Sequence, residues 1–152
     1  MSNKNARKLV EIVSIKMVRE GSVFYDIRKI SSPTDAVQLG LRFLSECDRE
    51  KLIVACLDTK NQINSVSTVS VGSLNSSVVH PREVFKTAIL SNAASIILFH
   101  NHPSQNVQPS QEDISITKRL VECGKIIGID VLDHLILASD GSYTSLKDKG
   151  LM

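Results

Sequence analysis

The feature that most constrains this chain is the run ASIILF at residues 94–99, which opens directly onto HNHPS. A largely apolar run this short reads as a buried strand, the kind found inside an α/β sheet with helices over its faces. The patterns on either side supply those helices. Residues 81–93 (PREVFKTAILSNA) open with Pro81 at a first helical position, and Val84, Ala88 and Ile89 make an apolar stripe. After a polar loop holding Pro103 and Pro109, Ser110 starts a second helix through Ile114, Leu120, Val121 and Ile127, with Gly128 placed to close it.

The rest of the chain fits an α/β reading. Ser32 before Pro33 is an N-cap followed by proline at the first helical position. Ala36, Leu39, Phe43 and Cys47 then fall on one face of a helix ending near Cys47, with Gly40 a weak point in its middle. Lys51–Leu57 (KLIVACL) and Ile63–Val71 (INSVSTVSV) read as a hairpin joined through residues 58–61. Residues 131–138 and 142–145 read as two last strands around the Asp140-Gly141 turn. Upstream, residues 9–18 alternate loosely and are rich in valine and isoleucine, and residues 23–27 are similar, so two N-terminal strands are expected within residues 1–30. Residues 31–152 carry the rest of a single compact domain.

Composition narrows the function classes. With 42% hydrophobic residues, 152 residues can build one sizeable core. The 18 basic and 16 acidic residues are mixed along the chain, there is no tryptophan, and aromatic residues make up 4%. No basic stripe interleaved with aromatics is present, so nucleic-acid binding is unsupported by the charge pattern. Cys47, Cys56 and Cys123 have no pairing or metal-ligand spacing and read as reduced buried thiols. No apolar stretch reaches the roughly 18 residues of a membrane span, and the N-terminus lacks a signal-peptide pattern. A soluble cytoplasmic protein is expected.

The chemistry concentrates after residue 99. His100 and His102 lie two apart at a strand end, so alternation points both imidazoles the same way. Asp113, in the first turn of the next helix, can return its carboxylate beside them. Two imidazoles, one carboxylate and an open fourth position make a catalytic rather than a structural zinc arrangement, one ion per chain. Ser110 and Asp113 also have a plainer reading, as a hydroxyl N-cap and an acid that suits the positive helix end. The spacing His-x-His, ten residues, Asp, with Ser110 three before it, is a long composite pattern.

The run HNHPSQNVQPSQED resembles the metal motif of JAMM metalloenzymes: His-x-His, seven residues, Ser, two residues, Asp. More closely, LDTKNQI, VGSLNSSVVHPREVFKTAI, FHNHPS, PSQEDI and VLDHLILASDGSYTSLKDKG together resemble the RadC family, also called UPF0758. The resemblance implies a three-layer α-β-α MPN/JAB fold with a mixed sheet, like that of cytidine deaminases. It further implies zinc on His100, His102 and Asp113, Ser110 as a hydroxyl at the oxyanion of a tetrahedral intermediate, and hydrolysis of a peptide or isopeptide bond. The family also carries a DNA-repair label, so a repair or mobile-element accessory role is an alternative.

Two departures qualify the resemblance. The class uses a glutamate to move the proton from water to the leaving amine, and counting back from Gly72 puts that position at Ser67. Either that alignment is displaced, or Glu83 or Glu112 substitutes, or the domain is a metal-bound interaction module without efficient catalysis. Longer members carry an N-terminal region resembling helix-hairpin-helix modules, and the stretch before Pro33 is too short for one. His80 and His134 read as structural, and Asn101 and Ser104 as hydrogen-bonding supports for the imidazoles. A deaminase is excluded by the lack of H-x-E and P-C-x-x-C.

Overall fold

The computed structural model describes residues 7–74 and 79–152. Three helices and five strands follow in the order β1 (Lys51–Leu57) and β2 (Ile63–Val71) after α1 (Pro33–Leu44), then α2 (Pro81–Leu90), β3 (Ser95–Asn101), α3 (Gln111–Ile127), β4 (Asp130–Leu137) and β5 (Tyr143–Ser145). The sheet runs β2-β1-β3-β4-β5. It is mixed: β1 pairs antiparallel with β2 and β3, β3 pairs parallel with β4, and β5 closes the far edge antiparallel. Only the parallel pair needs a long crossover, and α3 provides it.

Alternation along the central strands builds two cores. Leu52, Val54 and Cys56 of β1 and Ile96 and Leu98 of β3 pack under α2 and α3, against Val84, Phe85, Ile116 and Leu120. Ile53, Ala55 and Leu57 with Ile97 and Phe99 face the opposite way, against Ala36, Val37 and Leu39 of α1. The α-β-α layers expected from the family resemblance are therefore present. β1 and β3 are buried almost end to end because both their faces are covered.

Helix starts follow the caps. Ser32 Oγ accepts from Asp35 N–H at 3.3 Å, and Pro33 takes the first helical turn. Gly128, at φ 83°, ends α3 in the left-handed region that glycine tolerates. The stripes were less legible. Phe85 rather than Ile89 is the buried anchor of α2, and Ile89 is 54% exposed. In α3, Ile116 replaces Ile127, which faces solvent. α1 stops at Leu44, before Cys47, whose Sγ donates back to Phe43 O at 3.3 Å.

The two N-terminal strands are not found: among the described residues, no helix or strand precedes residue 33. Alternation qualifies a segment to be a strand, but a strand exists only with a ladder partner, and residues 7–24 have none among the described residues. The chain becomes anchored further on, where Tyr25 Oη donates to Asp35 O at 2.6 Å and Ile30 N–H to Asn61 O at 3.0 Å.

Gly40 is a contact point and not a flaw. A Cβ there would come within 2.5 Å of Leu137 Cδ1 and 2.6 Å of Phe99 Cδ1, both fully packed side chains. Gly40→Ala gains about 1 kcal/mol of helix propensity but overpacks the core at a cost of about 1–3 kcal/mol. The expected net result is a lower urea midpoint at unchanged m-value; a midpoint raised by the substitution would show that α1 can ride away from β3 and β4.

Candidate metal centre

The three converging residues come from two elements joined by one loop. His100 is the penultimate residue of β3, His102 follows its end and donates its backbone N–H to Leu137 O at 3.1 Å, and Asp113 lies in the first turn of α3. The site thus sits at the carboxyl end of a parallel strand, where α/β sheets bind ligands. His100 Nε2 stands 2.8 Å from His102 Nε2. Asp113 Oδ1 lies 3.4 Å from the first nitrogen and Oδ2 3.4 Å from the second. His100 and Asp113 are buried, and these three residues could hold a metal ion.

The chain's own hydrogen bonds fix which nitrogens carry protons. Thr117 Oγ1 donates to Asp113 O at 2.6 Å, so at His134, 2.6 Å away, it must accept from Nδ1–H. His134 Nε2 is then a bare acceptor, and His100 Nδ1–H donates to it at 2.7 Å. In the neutral ring this leaves His100 Nε2 as an unprotonated lone pair facing the centre. The same logic holds at His102, whose Nδ1–H donates to Asn106 O at 2.6 Å and leaves its Nε2 bare. Two lone pairs and a carboxylate therefore confront one another in a largely buried space. That set of acceptors calls for a cation, and it fits a divalent metal bound by neutral imidazoles oriented through their other nitrogens.

The electrostatics agree with neutral rings at His100 and His134 and an ionised acid, while the carboxylate beside His102 favours its charged form. Burial, with His134 nearby, pushes His100 well below the usual histidine range. Burial likewise takes His134 down to about 4. His102 is raised, first by its hydrogen bond with Asp113. Burial pushes the Asp113 carboxyl up, but His102, the His100 charge and two hydrogen bonds with Ser110 outweigh it and hold it well below the usual carboxylate range.

Asp113 is both things the sequence allowed. Ser110 Oγ accepts from Asp113 N–H at 3.0 Å and Asp113 Oδ2 accepts from Ser110 N–H at 2.8 Å, a complete capping box. The box orients the carboxylate, whose oxygens still reach both imidazoles. The Ser110 hydroxyl lines the same cavity as the carboxylate.

An open cavity of about 340 Å³ adjoins the centre, lined by Glu50, His102, Asn106, Ser110, Glu112 and Asp113 among others. Glu50 precedes β1, and Leu74 N–H donates to its Oε2 at 3.2 Å. Asn101, between the two histidines, holds the chain on both sides of Glu50: its Oδ1 accepts from Lys51 N–H at 2.8 Å and its Nδ2 donates to Arg49 O at 2.9 Å.

Known proteins are similar to this chain in sequence. A RadC-like JAB domain profile matches residues 30–151. The chain belongs to the RadC-like JAB domain family. A UPF0758 protein of Methanosarcina barkeri is 54% identical over 125 residues, covering 82% of this chain and 54% of the relative. One from Clostridium acetobutylicum is 56% identical over 124 residues, with the same coverage. The chain spans about half the length of the curated relatives it matches.

Within this RadC-like JAB domain, the remaining sequence candidates fall apart from the centre. Ser67 lies mid-β2 opposite Val54, with Thr87 Oγ1 donating to it at 3.4 Å, and it does not line the cavity. Gly72 N–H bonds Glu50 O at 2.7 Å across the hairpin, and Glu50, just before the adjacent strand, lines the cavity that Ser67 does not. Glu83 sits at the start of α2, ion-paired with Lys86 at 3.0 Å and half exposed. Glu112 lines the cavity. Asn101 supports Glu50 and not the imidazoles, and Ser104 Oγ accepts from Asn106 N–H at 3.4 Å without touching either ring. His80 caps α2 by accepting from Arg82 N–H at 3.1 Å. His134 had been read as structural only, yet it is the residue that orients His100. Its signal was a histidine inside an apolar strand, which needs a buried partner.

Proposed function

We propose that this domain is a zinc-dependent hydrolase of peptide or isopeptide amides, with zinc on His100, His102 and Asp113. The observation that carries the reading is the confrontation of two imidazole nitrogens and a carboxylate beside a cavity also lined by the Glu50 carboxylate and the Ser110 hydroxyl. A zinc ion held by these residues would supply a Lewis acid for the carbonyl and would make water acidic near neutral pH. Glu50 then accepts the proton of the attacking water on its carboxylate and delivers it to the leaving nitrogen, general acid–base work of the kind carboxylates do. The Ser110 O–H donates to the oxyanion as the carbonyl becomes tetrahedral, while the backbone N–H on its oxygen keeps it oriented. His134 and Asn106 hold the two imidazoles in the tautomer that leaves Nε2 open.

The case for a non-catalytic module rests on Ser67 standing where a glutamate belongs; the Glu50 carboxylate beside the cavity supports the catalytic reading instead. The test is cleavage of a peptide library and of lysine-linked isopeptide conjugates by the zinc-loaded chain beside a His102→Ala control. Turnover in the parent alone supports the reading; equal rates in both sink it.

A further inference from the structure

The N-terminal arm is the largest feature that the proposed chemistry does not use. Nine large apolar side chains between residues 9 and 24 are 49–100% exposed, with Ile12 at 100% and Leu9 at 95%. Apolar side chains this exposed and this closely spaced mark an interaction segment rather than the scattered single residues of an ordinary surface. The arm precedes residues 30–151 that the family shares.

Its pattern is that of a strand covered on both faces: Leu9, Val13, Ile15 and Met17 alternate with Val10, Ile12 and Val18. What it lacks is a ladder partner. The sheet has two outermost strands, of which β5 spans three residues and β2 nine. β2 (INSVSTVSV) contains no charge and no proline, the devices that usually stop an edge from accepting another strand. The arm passes near that strand: Met17 Sδ accepts from Ser91 Oγ, at the end of α2, at 3.5 Å, and Ser91 Oγ is 2.7 Å from Ser65 Oγ on β2. Upstream of Met17 every described residue of the arm is exposed. Gly21, with open space around it, separates the arm from the anchored Tyr25.

We propose that residues 9–18 add as a strand to the outer edge of β2 in a second copy of this chain, reciprocally, forming a two-fold dimer. The exchange gives both arms backbone partners, covers both open β2 edges and is self-complementary, as a closed two-fold interface requires. It is independent of the metal centre.

Light scattering on the eluting whole chain is expected to give twice 16.7 kDa. The double variant Ile12→Asp, Ile15→Asp, and separately Val13→Pro, which removes a ladder N–H, are expected to elute at half that mass with unchanged circular dichroism, because no core contact is touched. Hydrogen exchange should protect peptides over residues 9–18 and 63–71 together in the parent, and neither in Val13→Pro. A monomeric parent, variants that stay dimeric, loss of fold in the variants, β2 exchange indifferent to the arm, or a monomer floating with anionic lipid vesicles would each overturn the proposal.

Discussion

An Asp113→Asn variant is expected to keep its fold and lose the bound ion. Asparagine preserves the shape of the side chain, and its amide oxygen can still accept from Ser110 N–H as Asp113 Oδ2 does at 2.8 Å, so α3 keeps its start. What goes is the negative charge 3.4 Å from each imidazole nitrogen. Two neutral nitrogens then hold a cation without charge compensation. Metal analysis of chelator-free, tag-free protein should read about one zinc per chain in the parent and under about a tenth in the variant. Zinc at about a thousand times its dissociation constant stabilises the folded parent by about 4 kcal/mol, so added zinc should raise the parent's melting temperature and leave the variant's unchanged. Asp113→Ala removes the cap as well, at about 1 kcal/mol, and the gap between the two variants without zinc isolates the capping role. A parent that takes up no zinc, or an Asn variant that holds as much, defeats the assignment of the site.

The parts of this site that follow from local rules were legible in the sequence. Strand alternation put His100 and His102 on one side, and a cap three residues ahead put Asp113 at a helix start; the rings do meet, with centroids 4.7 Å apart. What depends on pairing between distant segments was not. Glu50 reaches the cavity because the β1–β2 hairpin sets Lys51 opposite Val71 while β1 sets Leu52 opposite His100. Neither register is written in the spacing of residues near the motif. His134 arrives through the parallel pairing of β4 with β3, across the whole length of α3, where Leu98 faces it in register. The same division explains the fold. Caps at Ser32, Ser110 and Gly128 act within a turn and were found. The choice of Phe85 over Ile89 depends on where α2 meets the sheet. The arm's alternation was read correctly as strand-forming, but alternation does not supply a partner.

The largest expected effect on rate belongs to Glu50→Gln. Glutamine keeps an oxygen that can accept from Leu74 N–H, as Glu50 Oε2 does at 3.2 Å, so the loop geometry and the three metal ligands are undisturbed. It cannot take the proton from water or return it to the amine. Removing a positioned acid–base group typically costs about 10²–10⁴ in rate, so kcat on any cleaved amide should fall by that factor while zinc content stays at the parent level. Asn101→Ala separates the acid from its positioning. Asn101 makes no contact with the imidazoles; it ties down Arg49 O and Lys51 N–H, the residues on either side of Glu50. Its loss should lower kcat less than Glu50→Gln does, with KM and zinc content held, because the carboxylate remains but is no longer fixed. If Glu50→Gln turns over at the parent rate, the proton moves through another group, and Glu112, which lines the same cavity, becomes the acid to replace next.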